Sequence, residues 1–411
     1  MTRASADVPT PSAASRPGLT PGLLAALGFV AMAGSVSTDL YLPAFPSLQA
    51  HFGVTEAAVQ LTLTAFLIGA AVGQFTVGTV SDALGRRRTL VIALGLFSAV
   101  GFLAAAAPSL EWLVALRLAQ GLTGSVGAAL ARAIVADLEQ GDRAARGISF
   151  LIAMMGLGPV FGSPLGALLT QLGGWRLALV GLATVAAAMF VVALLFVRES
   201  LPPERRHPAR VLPLLRNLGT LGRDGAFLGF AFAYALSYAA MMVYIGSSSF
   251  VVQRVFGQSS LVYALTFAAS SLAFVAGAWI NGRLVSRVGA LPMIRIAHGA
   301  AFGAGLVLVA LALAGALSIW VWVPLACVFV AGCAAGMGNG SALTLRHAAL
   351  TAGAGSAVLG LFQYTVGAFA SPLGGVMGGG TALPTVIGMT AVAALAILAV
   401  AIGRTIERRT P

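Results

Sequence analysis

A chain of 411 residues that is 59% hydrophobic and only 9% charged cannot present its surface to water, because soluble chains carry roughly 25% charged residues. Apolar runs of about 20 residues, each able to cross ~30 Å of hydrocarbon as a helix, recur along its whole length. Unbroken runs rather than alternating ones select helices over a closed barrel. The net charge of +12 does not point to nucleic acid: all 24 basic residues are Arg, and 21 of them fall in connections or segment ends on one side. Arg176 and Arg254 go to the other side and Arg117 lies within a segment. That asymmetry is the positive-inside bias, and it places both termini in the cytoplasm.

In chain order, residues 1–21, rich in Pro, Ala, Ser and Thr, read as a disordered cytoplasmic tail. Twelve spans follow, at 22–44, 57–80, 89–107, 111–136, 147–171, 176–197, 226–250, 259–284, 291–314, 319–345, 353–378 and 383–403. The expected fold is an all-α polytopic membrane protein with a six-helix half at 22–197 and another at 226–403. A cytoplasmic linker, 198–225, holds Pro202, Pro203, Pro208 and Pro213, and 404–411 form a cytoplasmic tail. An internal repeat supports the division. Gly78, Asp82 and Gly85 recur as Gly282, Ser286 and Gly289, 204 residues later, at the same place in each half.

Of the 12 acidic residues, Asp39 alone lies well inside an apolar run. An ionisable group at bilayer depth costs roughly 2.5–3.5 kcal/mol on insertion scales, so it faces a cavity and has a task there. The bland alternative is a helix-end residue beside Pro43. Arg117 in hydrocarbon needs a partner or water, because Arg stays charged; its alternative is snorkelling to the surface. Both lie in the outward half of their helices, so the guanidinium can tune a proton-responsive carboxylate, favouring the charged form that loss of water disfavours.

Tyr234, Tyr238, Met241 and Ile245 share one face of the seventh span, an adaptable surface for apolar ligands or ordinary packing. Gln60, Gln120 and Gln363 are polar groups within spans, lining a substrate cavity or joining helices. Gly158, Pro159, Gly162 and Pro164 in the fifth span allow close helix approach, and the prolines weaken the helical ladder and predict a hinge. Cys327 and Cys333, six apart, fit packing rather than a metal site, and His298 and His347 have no matching acidic or Cys ligands in the sequence. Gly85, followed by Arg86, Arg87 and Arg88, makes a tight turn with a basic edge.

Gly78 to Arg88 resembles the Gly-x-x-x-Asp-x-x-Gly-Arg signature of the major facilitator superfamily, although Ala83 stands where an Arg commonly follows the Asp. Arg117-Leu118-Ala119-Gln120-Gly121 is similar to its Arg-x-x-Gln-Gly motif, and Gly156 to Pro164 resembles its Gly-Pro antiporter motif. With Thr38 to Pro46, Arg132 to Asp137 and Tyr244 to Phe250, the chain resembles the Bcr/CflA group of drug–proton antiporters over roughly residues 22–403. The resemblance implies a charge-relay latch built from Asp82, Arg86 and Asp137, and export by antiport.

The expectation is therefore a monomeric exporter in the inner (plasma) membrane that exchanges small amphipathic compounds for protons. It would need no cofactor and no metal, bind no nucleic acid and perform no enzymatic chemistry. Moving one charge through 100 mV supplies about 2.3 kcal/mol, roughly a 50-fold concentration ratio. The alternatives are export of one metabolite or an endogenous antibiotic, a facilitator that needs no proton, and a non-transporting membrane sensor.

Overall fold

The computed structural model describes residues 18–206, 219, 221–347, 352–376 and 380–409. These residues are largely helical, and no strand occurs among them. Eleven helical stretches among them are long and apolar enough to cross a bilayer. The longest, Gly141–Phe196, is two crossings, because Gly173 (φ −153°, ψ 23°) and Gly174 (φ 68°, ψ −167°) leave the helical region. Leu169 and Gly181 then face each other across the reversal.

Among the described residues this makes twelve helical stretches of crossing length. They are α1 (Pro21–Phe52), α2 (Glu56–Leu84), α3 (Arg86–Ala105), α4 (Leu110–Leu138), α5 and α6 (on either side of the break in Gly141–Phe196), α7 (Gly225–Val255), α8 (Ser260–Val288), α9 (Ala290–Leu313), α10 (Ile319–His347), α11 (Gly355–Val376) and α12 (Leu383–Arg408). The hydropathy pattern therefore locates every crossing. Residues 1–17 of the expected tail lie outside the described residues, as do Pro208 and Pro213 of the expected linker.

Side chains that a soluble protein would bury point outward: Trp320 is 85% exposed, Leu172 and Leu195 70%, and Phe161 64%. A bilayer supplies the apolar surroundings they lack. The repeat is visible in backbone angles. Gly85 (φ 96°, ψ 151°) ends α2 and starts α3, and Gly289 (φ 87°, ψ 154°) does the same between α8 and α9. Positive φ of this kind suits glycine, which explains the match in two otherwise dissimilar loops.

The local path differs from the sequence expectation in two places. The backbone of α5 does not leave helical angles at Pro159 or Pro164 but at Gly173 and Gly174. Nor is the first crossing one rod ending near residue 44. It consists of Pro21–Ala31, Ala33–Asp39, a 3-10 turn at Leu42–Ala44 and Phe45–Phe52. Pro43 lies within that 3-10 turn, and Pro46 sits in the first turn of the following helix, where its missing N–H costs nothing.

Candidate functional site

Asp39 is the last residue of the helical piece before the 3-10 turn and is only 4% exposed. Its Oδ1 accepts a hydrogen bond from Thr38 Oγ1 at 3.2 Å. The fifth crossing seats it. A Cβ at Gly158 would press on Ser35, one at Gly162 would lie 3.5 Å from Asp39 Cβ, and one at Gly166 would overlap the Leu40 carbonyl. Glycine every fourth residue thus gives α5 a flat face on which the broken part of α1 rests. This is what the Gly-Pro segment does mechanically. The 3-10 turn that follows it, Leu42–Ala44, packs against both α7 and α8. Asp39 therefore stands where α1 and α5 meet α7 and α8.

Arg117 on α4 is fully buried. Its Nη1 donates to Ser37 Oγ and to Gln120 Oε1, both at 3.0 Å, and its Nη2 donates to the Ser37 carbonyl at 3.1 Å. The guanidinium lies 4.6 Å from the Tyr41 ring centroid and 4.7 Å from that of Phe66. Two aromatic faces and three acceptor bonds compensate a charge withdrawn from water. The crossing of α2 and α4 makes this possible. A Cβ at Gly121 would overlap the Phe66 carbonyl, and one at Gly69 would overlap the Leu118 carbonyl, so only glycine lets Phe66 approach. No ion pair joins Arg117 to Asp39 among the described residues. The guanidinium holds the chain two residues before the carboxyl instead, so it positions Asp39 through Ser37.

The aromatic stripe has its partners on α11. Tyr234 donates to Gln363 Oε1, and Tyr238 meets Tyr364 edge to face at 5.8 Å between ring centroids. Met241 is half-buried further along the same face. Gln60 and Gln120 do not line a cavity here: both are fully buried, and Gln120 holds Arg117. Gln60 belongs to a seal. Its Nε2 donates to the Gly246 carbonyl at 3.0 Å and to Ser247 Oγ at 3.1 Å. Thr64 Oγ1 donates to the Ala368 carbonyl at 3.1 Å and lies 3.0 Å from Ser371 Oγ. Gln253 and Arg254 reach back to the carbonyls of Pro43 and Pro46 at 3.2 and 3.0 Å. These bonds join α1 and α2 to α7 and α11 at the end away from the arginine-rich loops. The structure is shut at that end.

At the arginine-rich end Asp82, Arg86 and Asp137 come together. Arg86 Nη1 lies 2.6 Å from Asp82 Oδ1, and Nε lies 3.1 Å from Asp137 Oδ2. Gly78 sits one turn before Asp82 with open space where its Cβ would be. Three further contacts around the cluster carry no sequence signal. Glu199 Oε1 accepts the Arg86 backbone N–H at 2.9 Å, Ser200 Oγ donates to Asp137 Oδ2 at 2.9 Å, and Arg87 Nε donates to the Val197 carbonyl at 2.7 Å. Arg87 thereby caps the last carbonyls of α6, a favourable place for a cation.

His347 also departs from the sequence reading. Its Nδ1 is 3.5 Å from Asp224 Oδ2 and its Nε2 3.6 Å from Glu407 Oε1, so it ties α7, α10 and α12 together. The acids lie more than 50 positions away in sequence, which is why spacing does not reveal them. His298 is bonded to Ser237 at 2.7 Å and packs inside the bundle.

Comparison with known proteins gives the same architecture. The model of the Major Facilitator Superfamily matches residues 25–375. The chain is 32% identical over 358 residues to the uncharacterized MFS-type transporter YdgK of Bacillus subtilis, covering 85% of this chain and 87% of that one. It is 26% identical over 378 residues to a bicyclomycin resistance protein homolog of Haemophilus influenzae, covering 91% and 94%. A partially occluded inward open structure of the xylose transporter XylE from E. coli superposes with a TM-score of 0.72 over 92% of this chain and 96% of that one, at 16% identity. A family match over most of the length, together with the helical crossings described above, leaves one assignment: the chain belongs to the Major Facilitator Superfamily.

Proposed function

We propose that this protein exports small amphipathic compounds, drugs among them, across the bacterial inner membrane in exchange for protons, by alternating access. The observation that carries the reading is Asp39: a buried carboxyl at a break in α1, seated on the glycine face of α5 and just before the 3-10 turn that packs against α7 and α8. Discontinuous helices near the midplane are where secondary transporters place coupling sites. The name of the bicyclomycin resistance relative supports a drug-like substrate. The test is uptake into proteoliposomes with an imposed pH gradient across a panel of amphipathic drugs. Gradient-driven accumulation of at least one compound is expected; flux of any of them that ignores collapse of the gradient would replace exchange by facilitation.

The arginine-rich end faces the cytoplasm in this reading, with both termini on that side, so the end shut by the Gln60, Thr64, Gln253 and Arg254 bonds faces outward. Cysteine placed at exposed Arg88 is expected to react with an impermeant thiol reagent only from the cytoplasm. Cysteine placed at exposed Pro108 is expected to react from outside. Both belong in a background with Cys327 and Cys333 replaced, and the reverse labelling would invert the orientation.

The Asp82–Arg86–Asp137 cluster serves as a gate element. Asp82 is half-exposed, with 47% of its side-chain surface accessible, and its pairing with Arg86 is worth no more than roughly 0.5 kcal/mol. Asp82→Asn is therefore expected to shift the inward/outward ratio about twofold and to spare substrate binding. Distances between spin labels on the cytoplasmic ends of α2 and α11 read the shift. Unchanged distance distributions with unchanged transport would remove Asp82 from the gate.

A further inference from the structure

The Thr38 hydroxyl has more acceptors within reach than hydrogens to give. It is half-buried and stands 2.9 Å from the Ser35 carbonyl and 3.2 Å from Asp39 Oδ1, with the Gly34 carbonyl at 3.5 Å. A hydroxyl owns one hydrogen, so it serves one of the two nearer acceptors at a time. Which one depends on the carboxyl. An ionised carboxylate only accepts, and as the charged and stronger acceptor it draws the Thr38 hydrogen. A protonated carboxyl brings a hydrogen of its own, donates it to the Thr38 oxygen and releases the Thr38 hydrogen to the Ser35 carbonyl. Either arrangement satisfies both side chains, and the hydroxyl only has to rotate between them.

The Ser35 carbonyl is well placed to pass that change on. It belongs to the short helical piece Ala33–Asp39, and a hydroxyl bonded back to a carbonyl of the preceding turn bends a helix. Ser35 is also where this piece meets α5. Pro159 has no N–H to give to the carbonyl of Met155, four residues earlier. Ser35 Oγ approaches that freed carbonyl at 3.4 Å, through the gap left by the missing side chain of Gly158. One turn further along α5, Gly162 lies against Asp39 itself.

The other charged and titratable groups around this piece are engaged elsewhere. Arg117 of α4 is bonded to Ser37 and Gln120, and Tyr41 to Thr62. Arg132 and Asp137 lie further toward the cytoplasmic end of α4, beyond the contact of Gly127 with Val30. The positions of α5 in contact with the piece are glycines. On the helices that pack against the following 3-10 turn, Tyr263 accepts from Ser248 at 3.5 Å and Tyr238 meets Tyr364 edge to face.

We propose that Thr38 reads the protonation state of Asp39, turning its hydroxyl from the carboxylate to the Ser35 carbonyl when a proton binds, and so bends the part of α1 that rests on α5. The inference rests on Asp39 being the exchange carboxyl, as above, and adds the route by which its charge reaches the backbone. One proton lands on Asp39, none is transferred along Thr38, and one hydrogen bond changes its acceptor.

Infrared difference spectroscopy of the purified full-length protein in lipid, titrated from acid to alkaline pH, reads both ends of this link. Two bands are expected to titrate together in wild type: a carboxyl band that Asp39→Asn deletes, and a main-chain band of serine labelled with carbon-13 at its carbonyl, which Ser35→Ala deletes. Thr38→Val keeps the branched shape and removes the hydroxyl, so its carboxyl band should still titrate while the serine band stays fixed. Spin labels on the cytoplasmic ends of α2 and α11 read the consequence. In wild type the inward/outward ratio should change about fivefold across the titration, the worth of one hydrogen bond. It should be flat in Thr38→Val and respond again in Thr38→Ser, whereas a purely structural role would move the ratio equally at every pH. A titrating carboxyl with an unmoved serine carbonyl in wild type would overturn the proposal and leave Asp39 as the coupling group. So would a pH response that survives Thr38→Val or fails to return in Thr38→Ser. A carboxyl band that never titrates would remove Asp39 itself, and the exchange reading with it.

Discussion

Asp39→Asn protein, reconstituted at the same density as wild type, is expected to lose pH-driven uphill transport by at least tenfold while still binding substrate. Asparagine keeps the size of the side chain and the hydrogen bond to Thr38 but cannot gain or lose a proton. If substrate and proton are coupled through this carboxyl, linkage requires wild-type substrate affinity to depend on pH and proton release to accompany substrate binding. Both signals should vanish in the variant, leaving an affinity that is flat with pH. Each pH unit of gradient is worth about 1.4 kcal/mol, a tenfold accumulation per proton exchanged, so the loss is easily read. Downhill exchange of a neutral substrate is expected to persist, because the tyrosine face and the seal are untouched. Undiminished uphill transport by Asp39→Asn would place the proton on another group.

The second large effect is structural. Gly121→Ala adds a Cβ that meets the Phe66 carbonyl and the Ala70 amide, both main-chain groups that cannot rotate aside. In an open helix the same exchange gains about 1 kcal/mol from reduced backbone freedom. Here overpacking should cost about 3 kcal/mol net, at the upper end of the usual range, since α2 and α4 must separate. Separation would also withdraw Phe66 from Arg117 and leave the buried guanidinium with one aromatic face. Gly299→Ala on α9, where a Cβ has nothing within 4 Å, is the matched comparison and is expected to be neutral or slightly stabilising. Thermal unfolding of the two purified variants decides the point. Equal melting temperatures would mean that the α2–α4 crossing tolerates a methyl group and that glycine there is not what brings Phe66 to Arg117.

Much of the fold was legible because a bilayer enforces it. Twenty apolar residues in a row have few alternatives to a crossing, and even the reversal between the expected spans 147–171 and 176–197 falls on the Gly173–Gly174 break. Asp39 was legible for the same reason, as a carboxyl where hydrocarbon belongs. What could not be read were partners supplied by the main chain or by distant segments. Arg117 takes the Ser37 carbonyl, a group that every residue possesses and no sequence advertises. Glu199 and Ser200 read as the start of a polar linker, yet they complete the Arg86 cluster. Tyr364 had a signal available, being an aromatic next to Gln363 in mid-span, but nothing tied it to Tyr238 before the helices were brought together.

The seal is asymmetric in a way that bears on how such a protein drifts over evolution. Side chains of Gln60, Thr64, Gln253 and Arg254 donate, and main-chain carbonyls of Gly246, Ala368, Pro43 and Pro46 accept. A carbonyl is indifferent to the side chain that carries it, so an accepting position is held only by its packing, as at Gly246, where a Cβ would lie 2.7 Å from the Ser371 carbonyl oxygen. Four donors hold the closure, and each such bond nets only about 1 kcal/mol once exchange with water is counted. The shut state is therefore poised within reach of the free energy that one proton or one bound molecule can deliver. Losing a single donor should tilt the resting distribution by a few-fold without unfolding anything. Selection can thus retune which way the protein rests by altering one glutamine or threonine, leaving the machinery that recognises cargo as it was.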